Sequence, residues 1–292
     1  MDVVFSVNPL GLEGLGATLS SLIRNCNRSE ELQFWFFCSE FGDKDKANIN
    51  QLLEIEGFKG TVKYVDFDAK AIFGHLRSLH GDWTTYGRLL IPDYVQNDTA
   101  LYLDSDLIIL TDVLTLKEFD FDGAALAAVY GSPVSSALEK NFFIDKLKCA
   151  PDQAYFNAGI LLLNLKKWRE ENVEAKWKRL AEKYPNELLS VDQTLLNAVC
   201  EGNFARLLPV YNNPWYPGSE KPVDADHSII HFVGSPKPWD FFAKNLHKGN
   251  KVWEPFNNAA WKKEYGGITV DKIKRTWKIR RSLLKLLKAK II

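Results

Sequence analysis

Three short apolar runs near the N-terminus, VVFSV at 3–7, QFWFFC at 33–38 and TVKYVDF at 61–67, are rich in β-branched and aromatic residues. Between them the apolar residues fall three and four apart, which predicts helices beginning near Thr18 and near Asp45. A strand, a helix and a strand at this spacing form a right-handed crossover, so the chain must build a mainly parallel sheet with helices on its faces. The pattern continues with a helix over 82–93, a strand at 100, further strands at 123–130, 158–165, 205–211 and 228–234, and helices over 167–184 and 192–199. With 292 residues, 46% hydrophobic and 25% charged, the chain reads as one nucleotide-fold α/β domain with a helical and irregular C-terminal portion.

No apolar run approaches the ~20 residues needed to span a bilayer. The N-terminus MDVVFSVNPLG enters a strand pattern directly, unlike a signal peptide. Cys26, Cys38, Cys149 and Cys200 have no C-x-x-C spacing and read as reduced thiols. These features predict a cytoplasmic protein.

Formal charge is zero, with 37 Lys+Arg against 37 Asp+Glu, but residues 272–292 hold nine of the bases and no acid. The remainder therefore carries 28 bases against 37 acids, a net of −9. At helical spacing Ile273, Trp277, Leu284, Leu287 and Ile291 fall along one side of this tail. That pattern fits a helix lying in the membrane interface, with each base near an anionic leaflet contributing on the order of 1 kcal/mol. A docked helix or a nucleic-acid-binding helix is the competing reading. We expect peripheral attachment to the inner face of the membrane and no nucleic-acid partner.

The run ALYLDSDLIIL, residues 100–110, places Asp104 and Asp106 inside an otherwise apolar stretch. In a strand they share one face, where two like charges repel and burial of either one unpaired costs several kcal/mol (~3 or more). Either the strand ends there in solvent or something positive lies between them. A divalent cation at the carboxyl end of a strand satisfies the second condition, and hard oxygen ligands suit Mn2+ or Mg2+. Haloacid-dehalogenase-type phosphatases also use D-x-D, but near the start of their fold. About a hundred residues of α/β pattern precede it here, as in nucleotide-sugar glycosyltransferases. GLEGLG at 11–16 is not G-x-G-x-x-G and lacks a phosphate-loop Lys, so it is read as a flexible loop over a ligand or acceptor.

Four other segments carry candidate chemistry. YFNAGILLLNLKKW puts Asn157, Ala158 and Gly159 at a strand mouth, as a sugar contact or a simple turn. SVDQTLLNAV places Asp192 and Gln193 in the first turn of a helix that Ser190 can cap. IIHFVGSPKPW sets His231 at a strand end, followed by Gly234 and Lys237, a metal ligand with a phosphate partner or a structural His. TTYGRLLIPDY carries Arg88 upstream of the D-x-D, where a surface ion pair is the alternative.

In this order YLDSD, FNAGILLLNLKKW, DQ and HFVGSPKPW resemble glycosyltransferase family 8, the retaining, metal-dependent enzymes of GT-A fold. The likeness runs from the first strand to Trp239 and again in the basic tail. It implies a GT-A catalytic domain over 1–250 and a membrane-associating segment over 251–292. By the same resemblance Asp104, Asp106 and His231 would hold Mn2+, and Gly234 and Lys237 would contact a diphosphate. Arg88, Ser105, Asn157, Ala158, Gly159, Asp192 and Gln193 would line the donor sugar, with Gln193 and Asp192 nearest the chemistry, and Ser6 and Asn8 beside base and ribose. The family often has an acid where this chain has Asn8. The implied reaction moves galactose or glucose from a UDP-sugar to a glycan or lipid-linked acceptor. A D-x-D phosphohydrolase and a non-catalytic nucleotide-sugar-binding protein at the membrane surface are the alternatives.

Overall fold

The computed structural model describes residues 1–291, apart from the side chains of Asn245 and of residues 289–291. Its first half follows the expected alternation: β1 (Asp2–Val7), α1 (Leu12–Arg24), β2 (Gln33–Cys38), α2 (Asp43–Ile55), β3 (Thr61–Asp66), α3 (Ala69–Phe73), α4 (Ile91–Tyr94) and β4 (Thr99–Leu103). There follow β5 (Leu107–Ile109), β6 (Leu126–Pro133), β7 (Ala154–Phe156), β8 (Ile160–Asn164), α5 (Leu165–Glu170), α6 (Val173–Lys183), α7 (Val191–Cys200), β9 (Ala205–Leu207), β10 (Asn213–Pro214) and β11 (Ile229–His231). The C-terminal part holds α8 (Asn250–Trp253), α9 (Ala259–Tyr265) and α10 (Val270–Ile291).

The main sheet runs β3-β2-β1-β4-β8-β6-β7, with β9 beside β6. Pairs β3/β2, β2/β1, β1/β4 and β6/β9 are parallel, whereas β8 enters antiparallel to β4 and β6, so the sheet is mixed. Strand alternation divides the core between its two faces. Val3, Phe5 and Val7 pack with Leu12, Leu15 and Leu19 of α1, while Val4 packs with Tyr102, Leu161 and the helices carrying Trp168 and Trp177.

Several expectations are corrected. ALYLDSDLIIL is not one strand: β4 ends at Leu103, and β5 joins a separate sheet of order β10-β11-β5. The two Asp residues therefore sit in the break between sheets, not on one strand face. The helix expected over 82–93 is a 3-10 segment, Thr84–Leu90, followed by the short α4. The helix over 167–184 is two, broken where Asn172 adopts φ +50° and its side chain caps α6. GLEGLG is no flexible loop: α1 begins at Leu12 and absorbs it. A Cβ on Gly14 would lie 2.5 Å from the Ser105 carbonyl, and one on Gly16 2.2 Å from Trp261 Nε1, so these glycines permit close packing.

All four cysteines are free, and burial pushes the Cys26, Cys38 and Cys200 thiols up to about 12. Along α10, Ile273, Trp277, Leu284 and Leu287 are exposed; the Ile291 side chain lies outside the described residues. The opposite side of α10 is tied down by buried Leu283, by Lys272 on Glu13 at 2.7 Å and by Arg275 on Asp240 at 2.5 Å. Among the described residues no helix is long and apolar enough to cross a membrane.

Candidate active site

The break after β4 lies at the carboxyl ends of the parallel strands β1 and β4, where open α/β sheets present ligands. Gly159 fixes it, its carbonyl accepting the Asp104 N–H at 2.8 Å. From β11, antiparallel to β5, His231 turns toward the two carboxylates: Nε2 lies 3.3 Å from Asp106 Oδ1 and 4.0 Å from Asp104 Oδ2. Ligand atoms of Asp104, Asp106 and His231 all fall within 4.8 Å of one another.

Three observations fit this cluster to a divalent cation. Asp106 Oδ1 is buried without a hydrogen-bond donor, with His231 Nε2 its near neighbour at 3.3 Å. A Cβ on Gly159 would stand 2.3 Å from His231 Cε1 and 2.8 Å from Asp104 Oδ2, so glycine keeps the space between the ligands open. His231 Nδ1 lies 3.0 Å from Asn212 Oδ1, an acceptor that holds the proton on Nδ1 and turns the Nε2 lone pair to the carboxylates.

Positive charge reaches the cluster from both sides. Lys237 Nζ donates to Asp106 Oδ2 at 2.5 Å and also to the Phe232 carbonyl. Burial opposes the Asp106 charge, yet the Lys237 ammonium holds its carboxyl well below the usual range. Gly234 adopts φ +81°, which lets the chain turn from Phe232 back to Lys237.

Arg88 is buried, not a surface ion pair. Its Nη2 donates to Asp104 Oδ1 at 3.0 Å, its Nη1 to the Ala158 carbonyl and its Nε to the Thr85 carbonyl at 3.1 Å. Nε also lies 2.8 Å from Asp192 Oδ2, but its proton points at Thr85, which leaves that oxygen without a hydrogen bond. Burial pushes the Asp192 carboxyl up to about 6, with Arg88 pulling it down. Ser190 does precede α7, but its side chain makes no cap; Val191 after it is held at φ +47°, a conformation that β-branched residues rarely adopt.

Asn157, Ala158 and Gly159 meet Gln193 directly: Gln193 Oε1 accepts from Asn157 Nδ2 at 3.1 Å and Ala158 N at 3.0 Å. Ser105 lies between the two Asp residues against Gly11 and Gly14. Ser6 and Asn8 stand together at the end of β1. Ser6 Oγ donates to the Thr84 carbonyl at 2.7 Å, while Asn8 Oδ1 caps Leu10 and Gly11 and its Nδ2 donates to Asp82 at 2.9 Å.

Sequence reasoning missed Tyr102, whose hydroxyl donates to Asp104 at 2.7 Å. Its place two residues before Asp104 was a usable signal, since i−2 shares a strand face. Asn212 and Asp82 had none, because each meets the site through a distant loop. Trp215 is buried against Phe232 and His247 and so is closed to a ligand, whereas Tyr216 beside it is exposed.

The chain is similar to known proteins. Lipopolysaccharide glucosyltransferase WaaO of Escherichia coli K12 is 27% identical over 277 residues, 90% of this chain and 79% of that one. Glycosyltransferase GlyB of Streptococcus pneumoniae serotype 4 is 28% identical over 275 residues, and the match spans 89% of this chain but only 62% of GlyB. A crystal structure of the galactosyltransferase LgtC with donor and acceptor sugar analogs superposes with a TM-score of 0.73 at 22% identity, covering 90% of this chain and 99% of that one. That likeness establishes the GT-A fold. The glycosyl transferase family 8 model matches residues 2–243, from β1 through the loop bearing Lys237, and the chain belongs to that family.

Proposed function

We propose that the protein transfers a hexose, galactose or glucose, from a UDP-sugar to a hydroxyl of a glycan or lipid-linked oligosaccharide, with retention at the anomeric carbon. The observation that carries this reading is the convergence of Asp104, Asp106 and His231 beside the Lys237 ammonium. Those three residues would hold Mn2+, or Mg2+, which when bound supplies Lewis-acid stabilisation to a departing diphosphate. Lys237 and Gly234 would bind the diphosphate, Ser6 and Asn8 would flank base and ribose, and Ser105 and Asn157 to Gly159 would line the sugar. The names of WaaO and LgtC support a hexose donor.

Arg88 positions Asp104 and the Ala158 carbonyl together, linking metal ligand to sugar floor. The departing phosphate accumulates negative charge, which Lys237 stabilises without a protonating acid. Gln193 is a neutral amide and a poor nucleophile, and Asp192 is buried against Arg88. Both facts favour attack by the acceptor hydroxyl from the leaving-group face, with a phosphate oxygen receiving its proton. A glycosyl adduct trapped on either residue would contradict this.

The exposed apolar residues of α10 and its bases support attachment to the cytoplasmic leaflet, with residues 1–250 as catalytic domain and 251–292 as the associating segment. UDP release from a panel of UDP-sugars with Mn2+ tests the function: turnover of one hexose donor is expected. No release from any donor, with glycan and glycolipid acceptors present, would reject it, and an aspartyl-phosphate trapped on Asp104 would replace it with the phosphohydrolase.

A further inference from the structure

Behind Gln193 lies a buried carboxylate for which the reaction as described has no use. Glu139, in the segment between β6 and β7, is 2% exposed and meets only neutral donors. Its Oε1 accepts from the Ser190 N–H and the Thr194 hydroxyl, both at 2.8 Å, and its Oε2 from the Tyr155 hydroxyl at 3.3 Å. The first two contacts span the strained Val191 at the start of α7, whose dipole favours an anion there. A carboxylate accepts at both oxygens and never donates, so the Tyr155 proton must point at Glu139 and its lone pair away from it. That lone pair receives Gln193 Nε2 at 2.9 Å.

Gln193 Oε1 is thereby turned to Asn157 Nδ2 and Ala158 N. Asn157 Oδ1 accepts from Asn212 Nδ2 at 3.2 Å, and Asn212 Oδ1 faces His231 Nδ1 at 3.0 Å. Every link donates in the same sense, from the imidazole to Glu139.

We propose that Glu139, acting through Tyr155, is a positioning residue that sets which end of the Gln193 amide faces the donor sugar and fixes the polarity of the chain leading to His231. The inference deepens the glycosyltransferase reading and rests on it for the role of Gln193. Its weight lies in the Ser190 N–H, a backbone donor that reserves one atom of residue 139 for an acceptor. In Glu139→Gln the amide oxygen must take that place, so the NH2 faces Tyr155. The hydroxyl then meets donors on both sides, and the Gln193 amide loses its anchor or flips.

The test uses the full-length chain with the UDP-sugar that the wild type turns over. Tyr155→Phe is expected to lower kcat about tenfold, the equivalent of one hydrogen bond, with donor KM held within about twofold. Glu139→Gln should lose at least as much, and the double variant no more than Glu139→Gln alone. The side-chain amide resonance of Gln193, identified by its loss in Gln193→Ala, should move in Glu139→Gln although the two residues do not touch. A lower melting temperature with wild-type kcat and an unmoved resonance would make Glu139 a structural cap and overturn the proposal. If the wild type turns over no UDP-sugar, the functional reading fails, and the resonance alone still decides whether the chain transmits orientation.

Discussion

Replacing Arg88 with Met removes the cation between Asp104 and Asp192 while keeping a side chain of similar length. Without Arg88 the largest influence opposing burial at Asp192 is gone and the Asp104 charge is left to repel it, so its carboxyl rises beyond the 6 it reaches beside the guanidinium and folds protonated. At pH 7.5 wild-type Asp192 is ionised, about 1.5 units above its pKa, so being forced to protonate costs about 2 kcal/mol. Loss of the hydrogen bonds to the Ala158 and Thr85 carbonyls and of the stack on Tyr102, 4.2 Å from the guanidinium carbon, adds about 1–2 kcal/mol. The total, about 3–4 kcal/mol, lies in the range for breaking a buried pair.

The sign of the pH dependence follows. The folded-state value of Asp192 lies above the ordinary 3.8, so its charge weakens the fold at high pH and that loss is relieved as pH falls through 6 toward 3.8. Urea denaturation should therefore show the gap between wild type and Arg88→Met narrowing by about 2 kcal/mol from pH 7.5 to pH 6. On an Asp192→Asn background the gap should be smaller and flat with pH. A gap below about 1 kcal/mol at pH 7.5, or the same pH slope in both backgrounds, would refute the reasoning.

Gly16→Ala puts a methyl into Trp261, whose Nε1 donates to the Leu12 carbonyl at 2.9 Å, and should cost about 2–3 kcal/mol and several degrees of melting temperature; an unchanged melting temperature would show that the contact relaxes freely. Burial lowers the His247 pKa to about 4 against an ordinary 6.5, so its contribution is complete above 6.5 and lost as pH falls toward 4. His247→Phe, among the rings of Trp215 and Phe232, should remove about 2 kcal/mol of that acid sensitivity in denaturation curves at pH 7 and 4.5, and parallel curves would count against it. Serine at Trp277, Leu284 and Leu287 removes exposed apolar surface from α10 without touching Leu283. Co-sedimentation with anionic vesicles should fall, and equal binding would reject membrane attachment through this face.

The first three strands and the D-x-D were legible because they are local: period and composition alone mark β1, β2 and β3. What failed was decided by distant partners. GLEGLG reads as loop because glycine weakens helices, yet α1 needs Gly14 and Gly16 so that Ser105, Trp239 and Trp261 can approach its backbone. Asp104 and Asp106 read as one strand because nothing between them breaks the apolar pattern, whereas β5 leaves to pair with β11, far along the chain. Arg88 read as a donor-sugar contact or as a surface ion pair, and only the fold reveals the two carboxylates between which it lies buried. Glu139 and Asn212 left no trace in the sequence, since hydrogen-bond polarity belongs to three-dimensional neighbours.

The central claim, that Asp104, Asp106 and His231 form a metal site serving a UDP-sugar, is tested most directly by UDP release measured across a Mn2+ titration in wild type and Asp106→Asn. Release that rises saturably with Mn2+, vanishes with chelator and falls by about 100-fold or more in the variant, the scale of losing one electrostatic stabiliser, is the predicted result. Equal turnover without Mn2+, or an Asp106→Asn variant as active as wild type, would contradict it.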